Sequence, residues 1–123
     1  MGKNPIIHWE IMGGEGKGVA DFYGKVFDWA PQAWEGMEGY SGVDEAHGGV
    51  GGAVGSGSAE MPHYVTIYVG VDSIDEHLQK ITAAGGTTVT PRTVIPGVVA
   101  YAMFKDPAGN MVGLAEHATP PAP

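Results

Sequence analysis

From Ile6 to Met12 apolar and polar side chains alternate, with Ile7, Trp9 and Ile11 on one face and His8, Glu10 and Met12 on the other. A period of two marks a strand whose faces meet different surroundings, so the segment predicts a β-strand. The glycine-rich GGEGKG that follows reads as a turn. Beyond it Val19, Phe22, Tyr23, Val26 and Phe27 recur at the spacing of one helical face, which predicts a helix docked on a sheet. Phe22, Tyr23 and Phe27, together with Trp9, are expected in the core. Gly39 to Val43 and Gly49 to Val54 predict two short strands weakened by glycine.

Gly55 to Pro62, GSGSAEMP, is small, polar and without periodicity, which makes it a connector. The opening pattern then returns. Tyr64 to Val71 alternates, with Val65, Ile67, Val69 and Val71 expected on the buried face and Tyr64, Thr66, Tyr68 and Gly70 opposite. Ser73 is placed to cap a second helix, Glu76 three residues on completes a capping-box pattern, and Ile74, Leu78 and Ile81 form the inner stripe. Gly85 and Gly86 are expected to end that helix in left-handed conformations. Strands follow near Thr87 to Thr90, Val98 to Phe104 and Met111 to Glu116, the last two joined by the turn DPAGN. The tail TPPAP is expected to fray. Strand, helix and several strands, repeated once, give the outline βαβββ-βαβββ within one domain spanning residues 1–123, with modules at about 5–57 and 63–117. The expected class is α+β: paired modules forming a curled mixed sheet, a half-barrel cup with the helices outside. The cup face, with His8, Glu10, Thr66 and Tyr68, is polar and aromatic and suits a ligand.

Composition narrows the function. The 21 glycines are the outlier, and they point to tight turns or close approaches. A net charge of -8 repels phosphate backbones and anionic lipid surfaces, so neither nucleic acid nor membrane is an expected partner. No apolar run is long enough to span a bilayer and the N-terminus lacks a signal-peptide core, so a cytoplasmic protein is expected. Zero cysteines exclude disulfides, thiolate metal sites and cysteine nucleophiles.

HWEI opening a strand, ADFYGKVFDW on the first helix, VDSIDEHLQKITAAGG around the second and the closing FKDPAGNMVGL together resemble the glyoxalase, bleomycin-resistance and extradiol-dioxygenase superfamily, the vicinal oxygen chelate proteins. The similarity runs from Ile6 to about His117. In the metal-using members, four strand positions supply His or Glu ligands to a divalent ion. Carried over residue by residue, the first falls on His8, the second on Thr66, the last on Gly113 and the remaining one within GGVGGAV. Only His8 is an expected ligand. His63 and Glu116 lie three residues from Thr66 and Gly113, an odd offset that points to the opposite strand face. Glu10 shares the face of His8, whereas a catalytic metal usually needs three protein ligands.

The resemblance therefore implies a member without the usual metal, and no cofactor is expected; the alternative is a divalent ion, Ni, Zn, Fe or Mn, held by His8 and Glu10. His8 and Glu10 are the candidate acid/base pair. Thr66, Tyr68, Tyr101, Met103 and Gly113 are the candidate ligand pocket, since aromatic and thioether surfaces take flat or irregular molecules; Trp34 and Tyr40 can join them. His47, His77 and His117 are expected in solvent. The first expectation for function is binding of a small organic ligand, cationic or aromatic, as an acidic chain favours. The second is a lyase, isomerase or dioxygenase using His8 and Glu10, with or without a metal. The third is an accessory dimeric module with no catalysis. A homodimer is implied by the resemblance.

Overall fold

The computed structural model describes residues 4–47 and 49–116; the side chain of His47, His117 and the TPPAP tail lie outside the described residues. The elements in chain order are β1 (Ile6–Gly13), α1 (Gly16–Phe27), β2 (Gln32–Ala33), β3 (Tyr40–Val43), β4 (Gly52–Gly55), β5 (His63–Val71), α2 (Ile74–Ala83), β6 (Thr87–Ile95), β7 (Val99–Lys105) and β8 (Met111–Glu116). This is the predicted βαβββ-βαβββ order in an α+β fold of two helices and mixed sheet. The two-residue β2 has no counterpart in the sequence pattern. The helix α1 begins inside GGEGKG, at Gly16, because the Gly16 N–H is taken by Ser56 Oγ at 2.8 Å and only Gly14 of that stretch turns through positive φ. The strand β6 runs on to Ile95, past Pro91, by two register shifts against β7. Proline is tolerated there as bulges on an edge strand tolerate it.

Two compact units divide the chain, Ile7–Ile67 and, among the described residues, 4–6 with 68–116. In the first unit the strands run in the order β2-β3-β4-β1, with β1 parallel to β4, Glu10 opposite Ala53, and β4 antiparallel to β3, Ala53 opposite Gly42. In the second the order is β5-β8-β7-β6, with β5 parallel to β8, Tyr68 opposite Gly113, and β8 antiparallel to β7, Gly113 opposite Met103. Each parallel pair is bridged by its unit's helix, so the sequence repeat is a repeat of topology.

In the second unit α2 lies where its stripe predicts. Ile74 packs with Val71, Ala102 and Leu114 in a core to which Leu78 and Ile81 add. Ser73 Oγ accepts the Glu76 N–H. Of the two glycines that end the helix only Gly85 takes positive φ; Gly86 is required for space, since a Cβ there would meet Lys105 O at 2.9 Å.

The first unit departs from expectation. Trp9, Tyr23, Phe27 and Trp29 do cluster, with ring centroids 5.2 to 6.1 Å apart. Phe22 and Phe27, however, are more than half exposed, and the buried apolar residues are Tyr40, Val43, Ala53 and Val54. Beneath α1 lie the four-residue strands β3 and β4, a surface too short for its wide apolar stripe. On β5 the expected faces are reversed at its start: Val65 is 73% exposed and Thr66 only 4%. Alternation defines two faces, and α1, packed on β3 and β4, leaves Val65 and Ile67 uncovered.

Four of the glycines make room for rings. A Cβ at Gly52 would meet the Trp9 indole, at Gly42 the Trp34 indole, at Gly13 the His63 imidazole and at Gly113 the Tyr68 ring, each closer than 3.0 Å. A ring laid on a strand glycine covers backbone that the missing side chain leaves bare.

One ion pair ties three elements of the second unit. Arg92 on β6 donates twice to the Glu116 carboxylate on β8, at 2.8 and 3.0 Å, and Glu116 also accepts the Ile74 N–H at the start of α2, at 2.9 Å. A carboxylate at a helix N-terminus is favourable. The Arg92 hydrogen bonds foremost, with the Ile74 N–H, hold the Glu116 carboxyl below its ordinary value of 4.5. Because the folded value is the lower, its contribution is complete above pH 4.5 and is lost as pH falls through the folded value. Glu116→Gln is expected to cost on the order of 1 kcal/mol at pH 7, after solvent screening of the Arg92 end. The gap between wild type and variant in thermal melts should narrow as the pH is lowered below 4.5.

Candidate functional site

The polar centre of the first unit is built on β1. Its period-two geometry puts His8 and Glu10 on one face, away from the Trp9 cluster. Glu10 is only 6% exposed. Tyr40, on β3, donates its hydroxyl proton to Glu10 Oε2 at 2.7 Å, and Tyr64, on β5, donates to Oε1 at 3.2 Å. His8 Nε2 lies 2.8 Å from the Tyr40 hydroxyl and 4.0 Å from Glu10 Oε2. The tyrosine therefore stands between imidazole and carboxylate, which make no direct hydrogen bond. Trp34, just past β2, sits on Gly42 with its ring 4.9 Å from Tyr40 and 6.4 Å from His8. Thr66 is buried on the face of Tyr64, its hydroxyl donating to Ile67 O at 3.2 Å.

Burial pushes the His8 imidazole below its ordinary value of 6.5, and the Glu10 charge only partly offsets this. His8 is thus neutral at neutral pH. Burial first, then the Glu10 charge and hydrogen bond, holds the Tyr40 phenol far above its usual range, so Tyr40 remains a donor. The net result is a carboxylate under aromatic rings beside an uncharged imidazole.

In the second unit, Tyr68, Tyr101, Met103 and Gly113 share the sheet face opposite α2. Tyr68, Met103 and Ala115 form a buried cluster with Val99, Tyr101 and Met111 packed against it. Gly113 is opposite Tyr68 on one side and Met103 on the other, and the Tyr68 ring fills the space where a side chain at 113 would start.

The donor set does not fit an ordinary divalent site. Among the described residues no group of three or more His, Asp or Glu side chains is placed to hold a metal ion. Both His8 Nε2 and Glu10 Oε2 are engaged by Tyr40, position 66 offers a hydroxyl and position 113 no side chain. Glu116 serves Arg92 and α2 instead, and His63 lies over Gly13. Sequence periodicity paired His8 with Glu10 but missed that Tyr40 and Tyr64 hold the carboxylate; the signal present was that Tyr64 shares the alternating set of Thr66.

No helix among the described residues is long and apolar enough to cross a membrane. Solved structures with similar folds include the following three. A hypothetical protein from Bacillus halodurans C-125 aligns with TM-score 0.72 at 17% identity, over 99% of this chain and 100% of that one. A methylmalonyl-CoA epimerase from Streptomyces coelicolor aligns with TM-score 0.64 at 15% identity, over 99% and 100%. A Mn(II)-bound glyoxalase from Novosphingobium aromaticivorans aligns with TM-score 0.63 at 15% identity, over 93% of this chain and 39% of that one. Among curated proteins no sequence matches. The family model described as glyoxalase/bleomycin resistance protein/dioxygenase superfamily matches residues 6–114, nearly the whole of both βαβββ repeats, and on that match the chain belongs to this superfamily.

Proposed function

We propose that the protein binds a small organic molecule, cationic and aromatic in character, at the His8, Tyr40, Glu10 and Tyr64 centre of its first unit, without a divalent ion. The observation that carries this reading is the buried Glu10 carboxylate with Trp34 and Tyr40 rings beside it. Aromatic faces attract a cation, and a nearby carboxylate adds to that attraction. His8, whose side chain is 24% exposed, and half-buried Trp34 are the reachable edge of the centre. The net charge of -8 steers cations toward the protein.

Titration calorimetry with benzyltrimethylammonium, and benzyl alcohol as its neutral counterpart, tests the reading. The cation should bind and the alcohol bind at least tenfold more weakly; Trp34→Ala should cost roughly three- to tenfold in affinity. Affinity should hold from pH 8 to 7 and weaken as pH falls through the depressed His8 value, because an imidazolium repels the ligand. Equal binding of the alcohol, or none of the cation, overturns the proposal. Stoichiometric Ni, Zn, Fe or Mn in the purified protein would overturn its metal-free part.

A second reading is favoured by the unbroken chain from His8 through Tyr40 to Glu10. In it the same residues act as acid and base in a lyase or isomerase reaction, and turnover of a bound compound would mark it.

A further inference from the structure

The Tyr40 hydroxyl has one proton and two neighbours within hydrogen-bond distance, Glu10 Oε2 at 2.7 Å and His8 Nε2 at 2.8 Å. An ionised carboxylate only accepts hydrogen bonds. Glu10 accepts on both oxygens, from Tyr40 on one and Tyr64 on the other. The Tyr40 proton is therefore committed to Glu10, and the contact between Tyr40 and His8 forms only if the imidazole donates. At 4.0 Å, Glu10 is too far to orient the ring itself.

We propose that Tyr40 is a positioning residue: by donating to Glu10 it obliges His8 to donate from Nε2, which locks the imidazole in its Nε2–H tautomer and joins the three groups in a one-directional relay. The tautomer of a histidine is set by the hydrogen bond that one of its nitrogens makes, and here a phenol transmits the carboxylate's demand across one intervening atom. The lone pair of the neutral ring then lies on Nδ1.

The test is a two-bond proton–nitrogen NMR correlation on the uniformly nitrogen-15-labelled full chain near pH 8, with the His8 signals assigned from their loss in His8→Gln. Wild type should show Nε2 protonated and Nδ1 bare. In Tyr40→Phe, which keeps the ring and removes the hydroxyl, the ratio of the two tautomers should fall roughly fivefold or more, as loss of one hydrogen bond allows. Glu10→Gln, whose amide can donate to Tyr40 and so free its proton for His8, should shift the population toward Nδ1–H. This second variant decides the matter where Tyr40→Phe does not fold. An Nδ1–H imidazole in wild type, or an unchanged Nε2–H pattern in a folded Tyr40→Phe, overturns the proposal; a Tyr40 that merely packs would leave the pattern unchanged. No ligand enters the measurement, so its failure is distinct from a failure of the titrations with benzyltrimethylammonium.

Discussion

Gly113→Glu is expected to destabilise the protein by about 3 kcal/mol or more, the largest effect of any single change considered, because it both overpacks a buried site and buries a charge. A Cβ at 113 would lie 2.8 Å from Tyr68 Cγ and closer still to the ring edge. The ring has little room to yield, being held with Met103 and Ala115 in a buried cluster. Gly113→Ala isolates the steric part and should cost about 1–3 kcal/mol in urea or guanidinium unfolding. If the Tyr68 ring is the obstacle, the cost of Gly113→Ala should shrink in a Tyr68→Ala background, with a coupling on the order of 1 kcal/mol or more in the double-mutant cycle. Strict additivity would show that the ring does not set the constraint. The consequence bears on metal chemistry: Gly113 is where the family resemblance carries the last metal-ligand position, yet placing a glutamate there is expected to damage the fold rather than supply a ligand.

Glu10→Ala should come next, at about 2–4 kcal/mol, since it removes the carboxylate that accepts from both the Tyr40 and Tyr64 hydroxyls, and a hydrogen bond to a charged group contributes about 1.5–3 kcal/mol. Glu10→Gln keeps an acceptor and should cost less than half as much. Denaturant midpoints measure the stability of both variants. In calorimetry both should lose the preference for benzyltrimethylammonium over benzyl alcohol, because the negative charge is gone in each. If Glu10→Ala unfolds at the wild-type midpoint, Glu10 is not the hub of the centre. If Glu10→Gln keeps the cation preference, the carboxylate is not what selects charge.

The order of elements and the pairing of His8 with Glu10 follow from sequence alone, because alternation and helical spacing are local properties of the backbone. The same is true of the second helix: Ser73 and Gly85 act through residues within four positions of themselves, and the observed bonds are those their types predict. The absence of ligating side chains at positions 66 and 113 is also plain from residue identity.

What needed the tertiary structure was anything decided across strands. Tyr40 stands 30 residues from Glu10, and its hydroxyl reaches Oε2 only because β4 lies between β3 and β1 in a register that no local pattern encodes. The sequence places Gly42, Gly52 and Gly113 in strands but does not say what approaches them; they prove to be seats for Trp34, Trp9 and Tyr68, since the ring that fills each space comes from another part of the chain. Period two gave β5 its faces but not which face is buried, so Thr66 is enclosed and Val65 exposed against expectation. Local sequence thus determines which groups share a face, and long-range packing decides which face is covered and which groups meet there, because burial and cross-strand hydrogen bonds depend on neighbours distant along the chain.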